Sequence, residues 1–112
     1  MLTVQTLDAW GADTAQGIGR CVNDREFYLR MVRRAAADTG FEKLQAALEA
    51  EDLSTAFEAA HALKGICANL ALTPLSRPVS EITELLRART DTDYSALMAE
   101  IMEQKAKLDA LF

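Results

Sequence analysis

The stretch FEAAHALKGICANLA, Phe57–Ala71, contains His61, the only histidine of the chain. On a helical wheel of about 100° per residue, the apolar residues around this stretch form one continuous arc, and His61 lies opposite its centre. The arc consists of Leu53, Ala56, Ala59, Ala60, Leu63, Ile66, Cys67 and Leu70. The pattern therefore predicts an amphipathic helix whose histidine faces solvent or a partner rather than the core.

Four residues are the predicted neighbours of the imidazole, because positions three and four apart are adjacent on a helix surface. Lys64 and Gly65 lie one turn towards the C-terminus, Phe57 lies one turn towards the N-terminus, and Ala68 lies two turns on. A glycine inside a helix costs roughly 0.5–1 kcal/mol relative to alanine. One reason to accept that cost is space beside His61. We therefore expect a shallow, partly apolar rim around the ring, with a cation on one side.

Several kinds of chemistry could use such a histidine. A metal site is disfavoured, because there is no second histidine and Glu58 would add at most one ligand. A general base needs a nucleophile or a substrate pocket beside it, and the sequence indicates neither. A neutral imidazole can itself attack a phosphoryl group while an ammonium such as that of Lys64 stabilises the oxygens. A surface histidine without any role remains the alternative on this pattern alone.

Composition limits the protein class. With 112 residues, half of them hydrophobic but only 6% aromatic, the chain suits one domain with an aliphatic core. The net charge of −5 disfavours a nucleic-acid or anionic-membrane binder and suits a basic partner surface. The first residues do not resemble a signal peptide, and no apolar run approaches the ~20 residues of a membrane span. Cys21 and Cys67 are interpreted as small buried residues in a reducing compartment.

In the N-terminal half, glycines at 11, 17 and 19 predict short helices before about residue 22. Asn23 can cap the next helix, with Glu26 three residues later as in a capping box. The sequence DTG at 38–40 predicts a break or kink. Asp52 is a suitable N-cap for the helix that contains His61.

In the C-terminal half, the His61 helix is predicted to end near Leu72. Thr73 is the predicted cap of the next helix, with Pro74 in the first helical position. Because proline is tolerated only in a first turn, Pro78 predicts an irregular start or a start near residue 76. A final helix is predicted from Asp93.

These patterns predict an all-α protein. We expect an antiparallel four-helix bundle over about 23–112, preceded by one or two short helices in about 1–22, together forming a single domain over 1–112. Each helix is too short to be stable alone, so the helices need one another's apolar faces.

The segment AAHALKG at 59–65 resembles the signature of histidine-containing phosphotransfer (HPt) domains, roughly A-x-H-x-L-K-G-S/A-A/S-x-x-L/I-G. His61, Leu63, Lys64, Gly65 and Leu70 occupy its matching positions. The preceding LQAALEAEDLSTAFE resembles the helix, acidic turn and helix that lead into the histidine. The length also matches, so the resemblance covers most of the chain.

The resemblance implies a phosphorelay intermediate. His61 would accept a phosphoryl group from a receiver-domain aspartate or a histidine kinase and pass it to another receiver aspartate. The implied partners are response-regulator receivers and hybrid histidine kinases, and magnesium would be bound by the receiver rather than by this chain. We further expect a phosphohistidine carrier without an ATP site of its own and without a metal or other cofactor, in the cytoplasm, as a monomer that binds neither nucleic acid nor membranes. The Met1 start favours a free-standing protein.

The resemblance also implies roles for residues of the His61 face. His61 is the phosphoacceptor, Lys64 the electrostatic partner and Gly65 the access residue. Phe57 and Ala68 belong to the receiver-docking face.

Two positions of the following helix match family positions beside the histidine. Thr83 stands where the family often has a Glu or Gln that hydrogen-bonds the other imidazole nitrogen. Its hydroxyl could accept that N–H but lacks the charge to raise the basicity of the ring. Arg87 matches a position where some members carry a basic residue near the phosphoryl group.

Three further departures from the family pattern are Ile66 in place of a small residue, Ala71 in place of glycine, and Pro78 in place of an aliphatic residue. Ala71 is expected to stiffen the end of the His61 helix. Ile66, Ala71 and Thr83 favour a rival hypothesis, a degenerate HPt-like module that docks receivers or kinases without carrying phosphate. A plain helical domain with an idle histidine is a second rival.

Overall fold

The computed structural model describes all residues 1–112 as an all-α protein with seven helices, which confirms the predicted class. Two short helices precede the bundle, in agreement with the prediction for the N-terminal region. In chain order the helices are α1 (Val4–Trp10), α2 (Thr14–Arg20), α3 (Arg25–Ala36), α4 (Gly40–Glu49), α5 (Leu53–Asn69), α6 (Thr73–Arg87) and α7 (Ser95–Asp109).

The helix α5 lies at the centre of the bundle, because it packs extensively against both α4 and α6, and α6 in turn packs against α7. Short connections join α4 to α5 and α5 to α6, so these neighbours run antiparallel. One continuous apolar core holds the bundle together. Its fully buried members include Leu7, Tyr28, Val32, Leu44, Leu63, Leu75, Ile82, Ile101 and Leu108.

The short N-terminal helices pack against the end of the bundle where α5 stops. At that end, the Tyr28 hydroxyl of α3 donates to the Leu70 carbonyl at 3.0 Å. Gly17 of α2 lies so close to the end of α5 that a Cβ on it would be 2.6 Å from the same carbonyl oxygen. The Trp10 indole N–H donates to Gln104 at 3.1 Å, which ties α1 to α7.

The N-cap of α5 agrees with the sequence prediction, whereas the N-cap of α3 differs from it by one residue. Asp52 caps α5 as predicted, because its carboxylate accepts the backbone N–H of Thr55 at 3.1 Å. The predicted cap Asn23 is wrong. Asp24 caps α3 instead and accepts from Phe27 N at 3.1 Å, while Asn23 has a left-handed backbone with φ of 59° in the preceding turn.

The predicted break at 38–40 separates α3 from α4. The Asp38 carboxylate accepts the Gly40 N–H at 2.7 Å and so turns the chain into α4. A Cβ on Gly40 would lie 3.0 Å from Leu63 Cδ2, so the glycine permits close packing of α4 on α5.

The start of α6 corrects the prediction. The helix begins at Thr73 with Leu72 as its N-cap, so Thr73 is helical rather than a cap. Pro74 lies in the first turn as expected, whereas Pro78 lies inside the helix and is buried. Proline in the sixth helical position removes one backbone hydrogen bond, but its ring packs in the core, and α6 does not start late.

The end of α5 also differs from the prediction. The helix ends at Asn69, and Ala71 lies beyond it with a left-handed φ of 54°. Leu72 N donates to Cys67 O at 3.0 Å and Ala71 N donates to Ala68 O at 3.1 Å, which is the Schellman pattern. Ala71 therefore cannot stiffen the helix. It occupies the capping position where glycine is usual.

The last helix begins two residues later than predicted. Asp93 precedes α7 and its carboxylate accepts the Ser95 N–H at 2.9 Å. Both cysteines are buried and free, as predicted.

Candidate functional site

His61 lies on the exposed side of α5, near the middle of the helix. The predicted apolar arc faces the core on the opposite side, where Ala56, Ala60, Leu63 and Cys67 are buried. The helical wheel therefore gave the direction of the imidazole correctly. The ring is accessible without any movement of the backbone.

Phe57 packs against the imidazole. The rings of Phe57 and His61 stack with centroids 5.5 Å apart and an interplanar angle of 18°. On the same phenyl ring, the Arg87 guanidinium of α6 lies 5.0 Å from the centroid. Phe57 is thus in contact with both His61 and Arg87.

Glu84 of α6 connects the two cations of this surface. The Lys64 ammonium donates to Glu84 Oε1 at 2.8 Å, and Arg87 Nε donates to Glu84 Oε2 at 3.1 Å. These hydrogen bonds, first that of Lys64 and then that of Arg87, lower the pKa of the Glu84 carboxyl. The carboxylate is therefore ionised at neutral pH and links α5 to α6 beside the histidine. We call Phe57, His61, Lys64, Glu84 and Arg87 the His61 cluster.

The surface beyond His61 is open. Gly65 is exposed, and a Cβ built there would have no neighbour within 4 Å. Packing inside this chain therefore does not require a glycine. Ala68 is exposed as well, and its carbonyl accepts a hydrogen bond from the Arg20 guanidinium of α2. Ile66 is half-buried at the edge of this surface.

Thr83 does not lie in the cluster, which corrects the expectation that it orients the imidazole. Its side chain is fully buried, and its hydroxyl donates to the Val79 carbonyl at 2.6 Å. No hydrogen bond joins it to His61. Burial of Val79 and Ile82 against the bundle turns Thr83 inward and brings the next residue, Glu84, to the surface beside Lys64.

Two residues of this surface were missed by the sequence reasoning. For Glu84 a signal existed, since a carboxylate three residues before Arg87 on a helix can pair with it. The pairing with Lys64 crosses from one helix to another and has no local signal. Arg20 lies 48 positions from Ala68, so nothing in the sequence connects them.

Two cavities lie elsewhere on the molecule. One of about 830 Å³ lies at the far end of the bundle between the α4–α5 turn and the start of α7. A groove of about 330 Å³ lies between α3 and the last turns of α5. His61 lines neither of them.

No three side chains of the types His, Cys, Asp and Glu are grouped so that they could hold a metal ion. None of the seven helices combines the length and the apolar character needed to cross a membrane.

A comparison with known families gives one match. The family model described as Hpt domain matches residues 28–111, which include α4 to α7 and the whole His61 cluster. Helices α1 and α2 lie outside the matched segment. No curated protein and no solved structure matches the chain.

Proposed function

Because the chain belongs to the Hpt domain family, we propose that it is a phosphorelay intermediate in which His61 carries the phosphoryl group. Hpt domains are phosphocarrier modules with a phosphotransfer role in two-component systems. The observation that carries the proposal is the exposed imidazole of His61, stacked on Phe57 and with Lys64 one turn away.

The nucleophile that the reaction needs is an accessible nitrogen lone pair of His61. An imidazole nitrogen of His61 attacks the phosphorus of a receiver aspartyl phosphate. A P–N bond forms, the P–O bond to the aspartate breaks, and the aspartate carboxylate leaves with the bonding pair. The other imidazole nitrogen keeps its proton throughout. The same exchange in reverse delivers the phosphoryl group to the next receiver. A histidine kinase can load His61 from ATP by the same attack, with a P–N bond formed at the γ-phosphorus and ADP as the leaving group.

The neighbouring residues support this step in different ways. Stacking on Phe57 limits rotation of the ring, which favours one direction of attack. The Lys64 ammonium and the Arg87 guanidinium supply positive charge for the phosphoryl oxygens. Gly65 leaves room on the C-terminal side of His61 for the partner's active site, and Phe57 and Ala68 offer apolar contacts to it.

The partners in this proposal are receiver domains of response regulators and hybrid histidine kinases. The receiver supplies the magnesium ion, and this chain supplies the nucleophile and the cations. The protein acts as a cytoplasmic monomer and binds the receiver through the exposed side of α5.

Transfer of labelled phosphate tests the proposal. Phosphorylated receivers or kinases are presented to the wild type and to His61→Gln, and the label is tested for acid lability and base stability. We expect such label on the wild type and none on His61→Gln. Label on the variant would overturn the assignment of His61.

A docking module that carries no phosphate is the second candidate. The buried Thr83 favours it, because no α6 residue hydrogen-bonds the imidazole from that position. The same assay separates the two candidates. Receiver binding that depends on Phe57 and Ala68, with no label on His61, would support the docking module.

A further inference from the structure

Glu84 binds both Lys64, one turn from His61 on α5, and Arg87, which lies over Phe57, and this suggests a role of its own. We propose that Glu84 is a positioning residue that holds Lys64 and Arg87 while His61 is free and competes with the phosphoryl group for them after transfer. The inference rests on the proposed function of His61 and assigns a role to a residue outside the HPt signature.

The contacts show that Glu84 binds both cations at once. Each carboxylate oxygen takes one partner, with Lys64 at 2.8 Å on Oε1 and Arg87 at 3.1 Å on Oε2. Without Glu84, each of these side chains would be a flexible cation on a surface. With it, both are held at the surface where α5 meets α6, and Arg87 also lies over Phe57.

The same contacts imply competition after transfer. A phosphoryl group brings negative charge and three acceptor oxygens to the imidazole. Lys64 and Arg87 are the cations placed to meet it, and both are already engaged by Glu84. A cation that moves to the phosphoryl oxygens leaves the Glu84 carboxylate behind, and that carboxylate then lies near a like charge.

The consequence is a less stable phosphohistidine. Both the lost ion pairs and the like-charge repulsion raise the free energy of phosphorylated His61 relative to free His61. A carrier must release its phosphoryl group to the next receiver, so this destabilisation favours release. Because the side chains of Lys64 and Glu84 are 34% and 52% exposed, we expect a moderate effect that salt weakens.

The equilibrium of transfer measures this effect. Labelled phosphate is allowed to equilibrate between a receiver and this chain, for wild type and Glu84→Gln. We expect the ratio of phosphorylated to free His61 to rise about two- to fivefold in Glu84→Gln, the range typical of exposed charge interactions. The rise should shrink in high salt and in a Lys64→Ala background, and Glu84→Asp should restore a ratio near that of the wild type.

Glu81→Gln is the matched control. Glu81 lies on the same helix, is exposed, and pairs only with Arg77, at 3.8 Å. The control should leave the ratio unchanged. Thermal unfolding of all variants separates a loss of folding from an effect on folded protein. An unchanged or lowered ratio in folded Glu84→Gln, or an equal rise in Glu81→Gln, would overturn the inference.

Chemical phosphorylation separates this inference from the relay itself. Phosphoramidate donates a phosphoryl group to histidine with release of ammonia and needs no partner protein. At a fixed donor concentration, phosphorus NMR should show higher occupancy of His61 in Glu84→Gln than in the wild type. That result without transfer from any receiver would uphold the role of Glu84 and overturn the relay. Relay transfer with equal occupancy of His61 in both proteins would uphold the relay and overturn the role of Glu84.

Discussion

The Lys64 ammonium lies 2.8 Å from Glu84 Oε1, so the cation one turn beyond His61 is anchored to the neighbouring helix. Lys64 is not directed freely at the imidazole. Any contribution to phosphoryl transfer requires the lysine to exchange or share its carboxylate partner. The charge environment of His61 is therefore a property of α5 and α6 together.

Gly65→Leu should fold and yet transfer phosphate slowly. A Cβ at this position meets nothing within 4 Å in the free protein, and leucine has a better helix propensity than glycine by about 0.8–1 kcal/mol. In the complex, the leucine would occupy space needed by the receiver. Gly65→Ala is the matched control and should be stabilised with a smaller loss of rate. Wild-type rates in folded Gly65→Leu would show that the glycine does not admit the partner.

Lys64→Ala should slow transfer more than it lowers stability. An exposed ion pair contributes less than about 1 kcal/mol to folding. Removing one preorganised hydrogen-bond donor from an oxyanion hole raises the barrier by about 2.7–4 kcal/mol, and this open site should show less. Transfer rate and melting temperature are measured on Lys64→Ala and on Lys107→Ala, whose lysine pairs with Glu103 on α7 at 3.6 Å. A fall in stability with an unchanged rate per folded molecule would make Lys64 a structural residue.

Thr83→Val should leave phosphoryl transfer unchanged. The hydroxyl is fully buried and its donated hydrogen bond ends on the Val79 carbonyl, not on His61. That carbonyl lies four residues earlier in the same helix, where it also accepts a backbone N–H. We therefore expect stability to change by less than about 1.5 kcal/mol. A clear loss of transfer rate in well-folded Thr83→Val would restore the threonine to the site.

The Cys67 thiol should resist alkylation in the folded protein at pH 8. Burial, with a smaller effect of Asp38, raises the pKa of Cys67 to about 12, so almost no thiolate forms. The direction in which stability changes with pH follows from the raised pKa of the folded state. The stability gained from keeping the thiol neutral is complete below the ordinary pKa of about 8.5 and is lost as pH rises towards 12.

Thiol labelling with and without denaturant measures this protection. Cys21 is the other free thiol, and burial raises its pKa as well. A Cys21→Ser protein therefore reports on Cys67 alone. Equal labelling rates for the folded and denatured forms of that variant would contradict the burial of Cys67.

Glu51→Gly should stabilise the protein by about 0.5–1 kcal/mol. Glu51 follows α4 with a left-handed φ of 57°, a conformation that is costly for any residue with a Cβ. Gln45→Gly, at an exposed position inside α4, is the control and should cost about 0.8–1 kcal/mol. Chemical denaturation of the two variants gives the difference. A destabilised Glu51→Gly would mean that its side chain contributes contacts that outweigh the strain.

The direction of His61 could be predicted because it depends on one helix. Helical periodicity sorts the residues of α5 into a buried and an exposed face, and the amphipathic pattern leaves little choice of which face is buried. The N-cap Asp52 was also predictable, since the side chain bonds a backbone N–H three residues away. At the start of α3, the capping-box spacing of Asn23 and Glu26 favoured Asn23, but the structure places the cap at Asp24.

The amino-acid sequence by itself determined that α5 is amphipathic and that its histidine faces outward, because both follow from spacing within one helix. Only the tertiary structure decided which residue of α6 meets that surface. Adjacent residues on a helix differ by about 100° in direction, so the rotation of α6 in the bundle exposes Glu84 and buries Thr83. That rotation is set by the packing of α6 against α5 and α7 together. The ion pair of Lys64 with Glu84 therefore appears only when the whole core is assembled.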